Sequence, residues 1–221
     1  MSTLVSTADN RLRSRLDTVA TGSTWGTETM NYLSQAQIQV VIDLPSEMFS
    51  DGALAGESST QMGYTPSTKV YECSRGGDSL RVLWVTHNDG TTIRGAQKLD
   101  SPEKVYNRGA ICNYASPAQG GAFYALALNK MVVFPACLND IIIERYIKIP
   151  TAFTASTNSY QIPDWLVDVS ISYAVYLALS QVGKGAEAAA ALTAYNNEIA
   201  SLYKTWKLEV PPKFISTPKT A

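Results

Sequence analysis

By residue type, nucleophilic or metal chemistry in this chain would have to come from His87, the only histidine, and from Cys73, Cys112 and Cys137, the only thiols. A zinc-type centre needs three or four nitrogen, sulfur or carboxylate ligands at short spacings. One histidine and three widely separated cysteines, none in a CxxC pair, do not supply it. A Cys–His nucleophile would need one of those thiols within hydrogen-bond reach of the ring, and no neighbouring residues mark any of the three for that role. The chain has no GxSxG, GxxxxGK[ST], GxGxxG or HExxH pattern. Asn139-Asp140 reads as a turn before a strand. Tyr173, Tyr176, Tyr195, Tyr203 and Trp206 could line a ligand pocket, but at helical spacing they read as core. No catalytic, cofactor-binding or metal-binding residue is therefore assigned, and the chain is not expected to be an enzyme.

The elements that would position these residues centre on Tyr160 to Lys207. Pro163 suits a first helical turn, and Asp164 and Asp168 put negative charge at the positive end of the helix dipole. From Trp165 to Leu179 apolar side chains fall on nearly every face. A helix apolar all round must be surrounded by protein, and this run is too short to span a bilayer. Val182-Gly-Lys-Gly185 breaks it. A second helix from Ala186 to Lys207 follows, with Ala188, Leu192, Tyr195, Ile199, Leu202 and Trp206 in one stripe. The two form an αα-hairpin whose core is expected to hold Trp165, Tyr173, Leu177, Leu192, Tyr195, Ile199 and Trp206.

Composition narrows the class. The chain has 221 residues, 45% hydrophobic and 17% charged, with a net charge of −1. That suits a globular chain with a sizeable core and argues against a protein that works by neutralising phosphates. Three unpatterned cysteines suit an intracellular protein with reduced thiols. The first nine residues lack the basic and apolar regions of a signal peptide.

The remaining chain reads as follows. Residues 3 to 20 make a short helix carrying Arg11, Arg13 and Arg15, a solvated face or a contact for DNA phosphate or an acidic partner. Trp25-Gly-Thr-Glu28 opens a second helix, which Pro45 stops. Residues 45–69 read as an irregular loop or arm. From Val70 the period changes to two. Val70 to Cys73, Leu80 to His87, Ala122 to Leu128, Met131 to Phe134 and Ile141 to Ile149 read as strands, with a short helix opened by Ser101-Pro102. Residues 208–221, with three prolines, read as an extended tail, either disordered or an arm that orders on a partner through Val210, Phe214 and Ile215. The expected fold is α+β. A helical bundle is formed by N-terminal helices (1–44) and the C-terminal hairpin (161–207). A small antiparallel β-sheet domain (70–160) is inserted in it, and an extended tail follows.

Four segments together resemble the head–tail adaptor (connector, head-completion) proteins of tailed bacteriophages: Trp25-Gly-Thr-Glu28 leading into Tyr32 to Gln37 and Val40-Val41; Leu128 to Pro135; Ile142 to Pro150; and Ile162-Pro-Asp164 with Tyr173 to Leu179 and Ala186 to Tyr203 behind it. The resemblance covers most of residues 25 to 205. It implies a virion protein at the head–tail interface, assembled in the host cytoplasm. Such a subunit sits in a ring, a dodecamer, below the portal protein. The ring extends the DNA channel and presents a surface to tail or nozzle proteins. Double-stranded DNA passes through without sequence-specific binding, and neither a membrane nor a cofactor is involved. On this reading Val210, Phe214 and Ile215 meet the portal or a neighbouring subunit, and Arg11, Arg13 and Arg15 face the channel or an acidic partner. The alternatives are a tail-tube or tail-terminator subunit and, from another class, a nucleic-acid-binding module.

Overall fold

A computed structural model describes residues 3–16, 25–50, 52–64, 67–111, 121–211 and 214. Cys112, Ile215, the end of the first expected helix (17–20) and most of the loop expected at 116–121 lie outside them. The chain divides into two compact units, Met1–Phe49 with Pro150–Ala221, and Ser50–Ile149.

The first unit is helical. It contains α1 (Val5–Arg15) and α2 (Trp25–Asp43), with a 3-10 turn at Ser46–Phe49. Before the next helix, the segment at Thr3 to Ser6 exchanges backbone hydrogen bonds with residues 156 to 160. The final pair of helices is Asp164–Gln181 and Gly185–Thr205. The helix at Asp164–Gln181 packs against α1, α2 and the helix after it. That explains a sequence apolar on every face, since three helices of its own chain cover it. Both helices of the hairpin end in the same way. Gly183 at φ 75° follows the first, with Lys184 N–H donating to Leu179 O and Gly183 N–H to Ser180 O. Lys207 at φ 55° follows the second, with Leu208 N–H donating to Tyr203 O and Lys207 N–H to Lys204 O. These are Schellman caps, and the left-handed residue in each satisfies the last carbonyls of its helix.

The second unit is a sheet of seven strands: β1 (Ala55–Gln61), β2 (Tyr71–Ser74), β3 (Ser79–Asn88), β4 (Ile93–Lys98), β5 (Ala122–Ala127), β6 (Lys130–Phe134) and β7 (Ile141–Lys148). Their spatial order is β1-β7-β3-β4-β5-β6-β2. Among the described residues one helix, α3 (Pro102–Ile111), lies between β4 and β5 in the chain. With it in place, the hairpin helices are α4 (Asp164–Gln181) and α5 (Gly185–Thr205).

This corrects the expected architecture. Among the described residues five helices accompany a seven-stranded, mixed, nearly closed barrel-like sheet, in place of a helical bundle with a small antiparallel insertion. Two features account for the difference. Residues Ala55–Gln61, expected in an irregular arm, pair with β7 along their whole length. β4 divides its length: Ile93 to Gly95 pair antiparallel with β3, and Ala96 to Lys98 pair parallel with β5. A parallel neighbour requires a crossover, which α3 provides. Two register shifts in β3 add to the curl of the sheet.

β5 and β6 are buried on both faces. Phe123, Ala125, Val132 and Phe134 join Val105 of α3 and Val70 in one cluster. Their alternating neighbours Tyr124, Met131 and Val133 join Cys73, Val85 and Ile142 in a second. The period of two along each strand separates the helix-covered face from the interior of the curled sheet.

Candidate functional site

β3 turns the His87 side chain inward, where it is fully buried, and the connection from β6 to β7 brings Asp140 to it. His87 Nε2 lies 3.1 Å from Asp140 Oδ2. The same carboxylate accepts from the Cys137 backbone N–H, and the turn is joined to the end of β1 by Met62 N–H donating to Asp140 O. Burial pushes the His87 imidazole below its ordinary value, so the neutral ring is the resting form. Nδ1 has no hydrogen-bond partner among the described residues. A bare nitrogen lone pair is easier to leave unmatched than an orphaned N–H, so the proton is assigned to Nε2, donating to Asp140.

Neither thiol among the described residues is prepared as a nucleophile. Burial, then the Glu144 carboxylate, pushes Cys73 up to about 12, and burial with Asp140 also raises Cys137. A reactive cysteine needs the opposite shift. No group of three or more metal-ligating side chains is present among the described residues.

A second buried polar group sits on β7. Glu144 is 2% exposed and accepts from Gly76 N–H at 3.2 Å and Ser79 Oγ at 3.3 Å. Arg75 Nε approaches it at 3.4 Å, while the rest of that guanidinium donates to Leu128 O at 3.0 Å and Ser79 Oγ at 2.8 Å. A shallow hollow of about 320 Å³ opens beside this group, lined by Arg75, Gly76, Gly77, Ser79, Leu128 and Asn129. Its only cation is already engaged, so the arrangement locks the turn between β2 and β3 onto β7. The sequence carries a signal for it. In Ile142, Glu144 and Tyr146 a charged residue occupies one of three inward positions, and a charge there demands a partner.

In the helical unit the three arginines have partners on the same chain. Arg11 Nη1 lies 3.2 Å and Arg15 Nη2 3.6 Å from Asp168 Oδ1, and Arg13 Nε lies 2.9 Å from Asp9 Oδ2. Arg15 also donates to Ser172 Oγ at 2.9 Å, and that hydroxyl donates to Glu198 at 3.1 Å. Of the arginines expected to face a channel, Arg11 and Arg15 thus join α1 to α4, and through Ser172 to α5, while Arg13 pairs within α1. Asp43 closes α2 as a second polar centre, accepting from Gln39 at 2.9 Å and Tyr195 Oη at 2.7 Å, while its carbonyl accepts from Tyr203 Oη at 2.8 Å.

Of the expected hairpin core, Tyr195 and Ile199 are fully buried, while Tyr173, Leu177 and Leu192 are half-buried. Trp165 and Trp206 are not core. They are 47% and 54% exposed and stack on each other, with ring centroids 6.3 Å apart and 23° between planes. They close the apolar stripe at the open end of the hairpin, where the start of the first helix meets the end of the second. In the tail, Phe214 is 5% exposed against the Tyr203 ring of its own chain, 6.3 Å between centroids, and Val210 is half-buried. Phe214 is therefore an internal anchor in place of a free one.

No protein-family model and no curated protein matches the chain. What the fold and its buried groups define is an α+β protein of two compact units. Its buried ionisable groups pair with one another, and its large exposed apolar side chains lie on the surface of each unit. No described helix is long and apolar enough to cross a membrane.

Proposed function

We propose that the chain is a structural virion protein, a subunit of the head–tail adaptor ring that docks on the portal, extends the DNA channel and carries the tail attachment surface. The observation that carries this reading is the Trp165–Trp206 stack, two indoles side by side and half exposed at the open end of α4 and α5. Leu208, 40% exposed, follows two residues later. Tryptophans are enriched among the few residues that dominate association energy, and grouped exposed apolar side chains mark contact surfaces. The four segments that resemble the adaptor family supply the identity of the partner. Without that resemblance the stack argues only for a protein partner.

The buried groups support the same direction. His87, Asp140, Glu144 and Arg75 bind one another in the sheet unit, which is the behaviour of a scaffold. Arg11, Arg13 and Arg15 are held by Asp168 and Asp9, which takes support from the nucleic-acid-binding alternative. A net charge of −1 suits a conduit along which DNA slides.

The test is co-assembly with the portal, read by native mass for the wild type and for Trp165→Ser/Trp206→Ser. Retained folding with lost co-assembly is expected for the double variant. Unchanged co-assembly would remove the stack from the argument.

A further inference from the structure

β1 ends the sheet, and its pairing with β7 fixes which backbone groups face outward. Lys148 N–H donates to Leu54 O, and Met62 N–H donates to Asp140 O. Both pairs belong to the register that joins Ala55 to Ile147 and Gln61 to Ile141. In an antiparallel ladder hydrogen-bonded pairs alternate. The even-numbered residues of β1 therefore bond to β7, and Glu57, Ser59 and Gln61 direct N–H and C=O away from the sheet. No pairing joins β1 to β2, the other edge, among the described residues.

Edges of this kind are normally blunted by brevity, bulges, proline or unpaired charge. β2 has brevity, with four residues. β1 has none of these devices. It is seven residues long, runs in continuous register and contains no proline or lysine. Its single charge, Glu57, is neutralised by Arg145 at 2.7 Å.

We infer that β1 is a strand-pairing edge that takes the β1 of a second copy of this chain, antiparallel about a two-fold axis through Ser59. The side chains select both the occupant and the register. Centred on Ser59, the pairing sets Glu57 opposite Gln61 of the second copy and Ser58 opposite Thr60, each a hydrogen-bonding cross-strand pair. Centred on Ser58, it sets Glu57 opposite Ser59 and leaves Gln61 opposite Ala55, and centred on Glu57 it sets Glu57 against Glu57, like charges directly opposed. Glu57, Ser59 and Gln61 share the exposed face, and Ser58 and Thr60 are half-buried. The inference concerns the protein alone and does not rest on the adaptor reading, which is tested with the portal present.

The experiment is native mass spectrometry with sedimentation across a concentration series of the full chain. A dimer is expected at high concentration. Ser59→Lys brings two ammonium groups together at the axis while leaving the β1–β7 bonds intact, and it abolishes the dimer. Gln61→Lys places a cation opposite Glu57 of the second copy at two symmetric positions and tightens the dimer roughly threefold to tenfold. Gln61→Glu weakens it by a similar factor. Circular dichroism and melting temperature confirm that each variant is folded. A monomer at every concentration overturns the inference. A dimer indifferent to Ser59→Lys, or equal responses to lysine and glutamate at position 61, overturns it as well.

Discussion

The Tyr195 hydroxyl donates to the Asp43 carboxylate at 2.7 Å, in a site where both residues are almost fully buried. A carboxylate at the C-terminus of α2 opposes the helix dipole. It is held there because Tyr195 and Gln39 both donate to it, and burial with the adjacent charge raises the Tyr195 phenol, which stays protonated as a donor. Tyr195→Phe keeps the ring packing and removes one donor. A loss of about 1–3 kcal/mol in urea unfolding is expected, the cost of an undersatisfied buried acceptor. Less than half a kcal/mol lost would mean the bond is not formed.

Gly56 and Gly76 both press on Tyr146. A Cβ at Gly56 would lie 2.6 Å from the ring, and one at Gly76 would lie 2.6 Å from its Cζ. The ring cannot swing away freely, because its hydroxyl donates to Asp78 at 2.9 Å and it is 6% exposed. Gly76→Ala should destabilise by about 1–3 kcal/mol through overpacking. In the Tyr146→Ala background that cost should nearly vanish, a non-additivity that a double-mutant cycle reads directly. Additive losses would contradict the contact.

The His87–Asp140 pair makes stability depend on pH. The unfolded histidine takes a proton near its ordinary value of 6.5, whereas burial depresses the folded ring below it. A lowered folded value means that the unfolded state binds more protons as pH falls, so stability is level above the ordinary value and declines below it. The slope is at most about 1.4 kcal/mol per pH unit below roughly pH 6.5. At lower pH the raised Asp140 carboxyl, which takes a proton more readily when folded, acts in the opposite sense. Urea midpoints of wild type and His87→Gln at several pH values check this. A decline of equal steepness in both proteins would assign it to other groups.

Phe214 fastens the tail to α5. Phe214→Ala should lower the melting temperature by removing the ring packed on Tyr203, with a cost of about 2–4 kcal/mol. An unchanged melting temperature would put the anchor elsewhere.

The legible parts of the sequence were those with strong periodic signals. Asp164–Gln181 and Gly185–Thr205 lie within a residue or two of the helices expected at 165–181 and 186–207, because Pro163, the all-round apolar run and Gly183 mark their ends. β5, β6 and β7 followed from β-branched and aromatic runs. β1 and β4 were not legible as a pair of sheet-closing strands. Ala-Gly-Glu-Ser-Ser-Thr-Gln61 and Ile-Arg-Gly-Ala-Gln-Lys98 carry almost no apolar alternation, since each is exposed along much of its length. Without them the sheet looked small, and the parallel step through α3 left no local trace. The buried partnerships of His87 with Asp140 and of Tyr195 with Asp43 join residues 53 and 152 positions apart, which periodicity cannot register. Trp165 and Trp206 followed the core pattern but lie at the ends of their helices, where they stack on each other and stay half exposed.

The adaptor reading meets its most direct test in native mass with and without the portal protein. On that reading the chain alone is a monomer or an edge-paired dimer, and with the portal a fixed, closed ring of about twelve copies is expected to join it. A folded chain that leaves the portal's mass unchanged at every ratio would contradict the account.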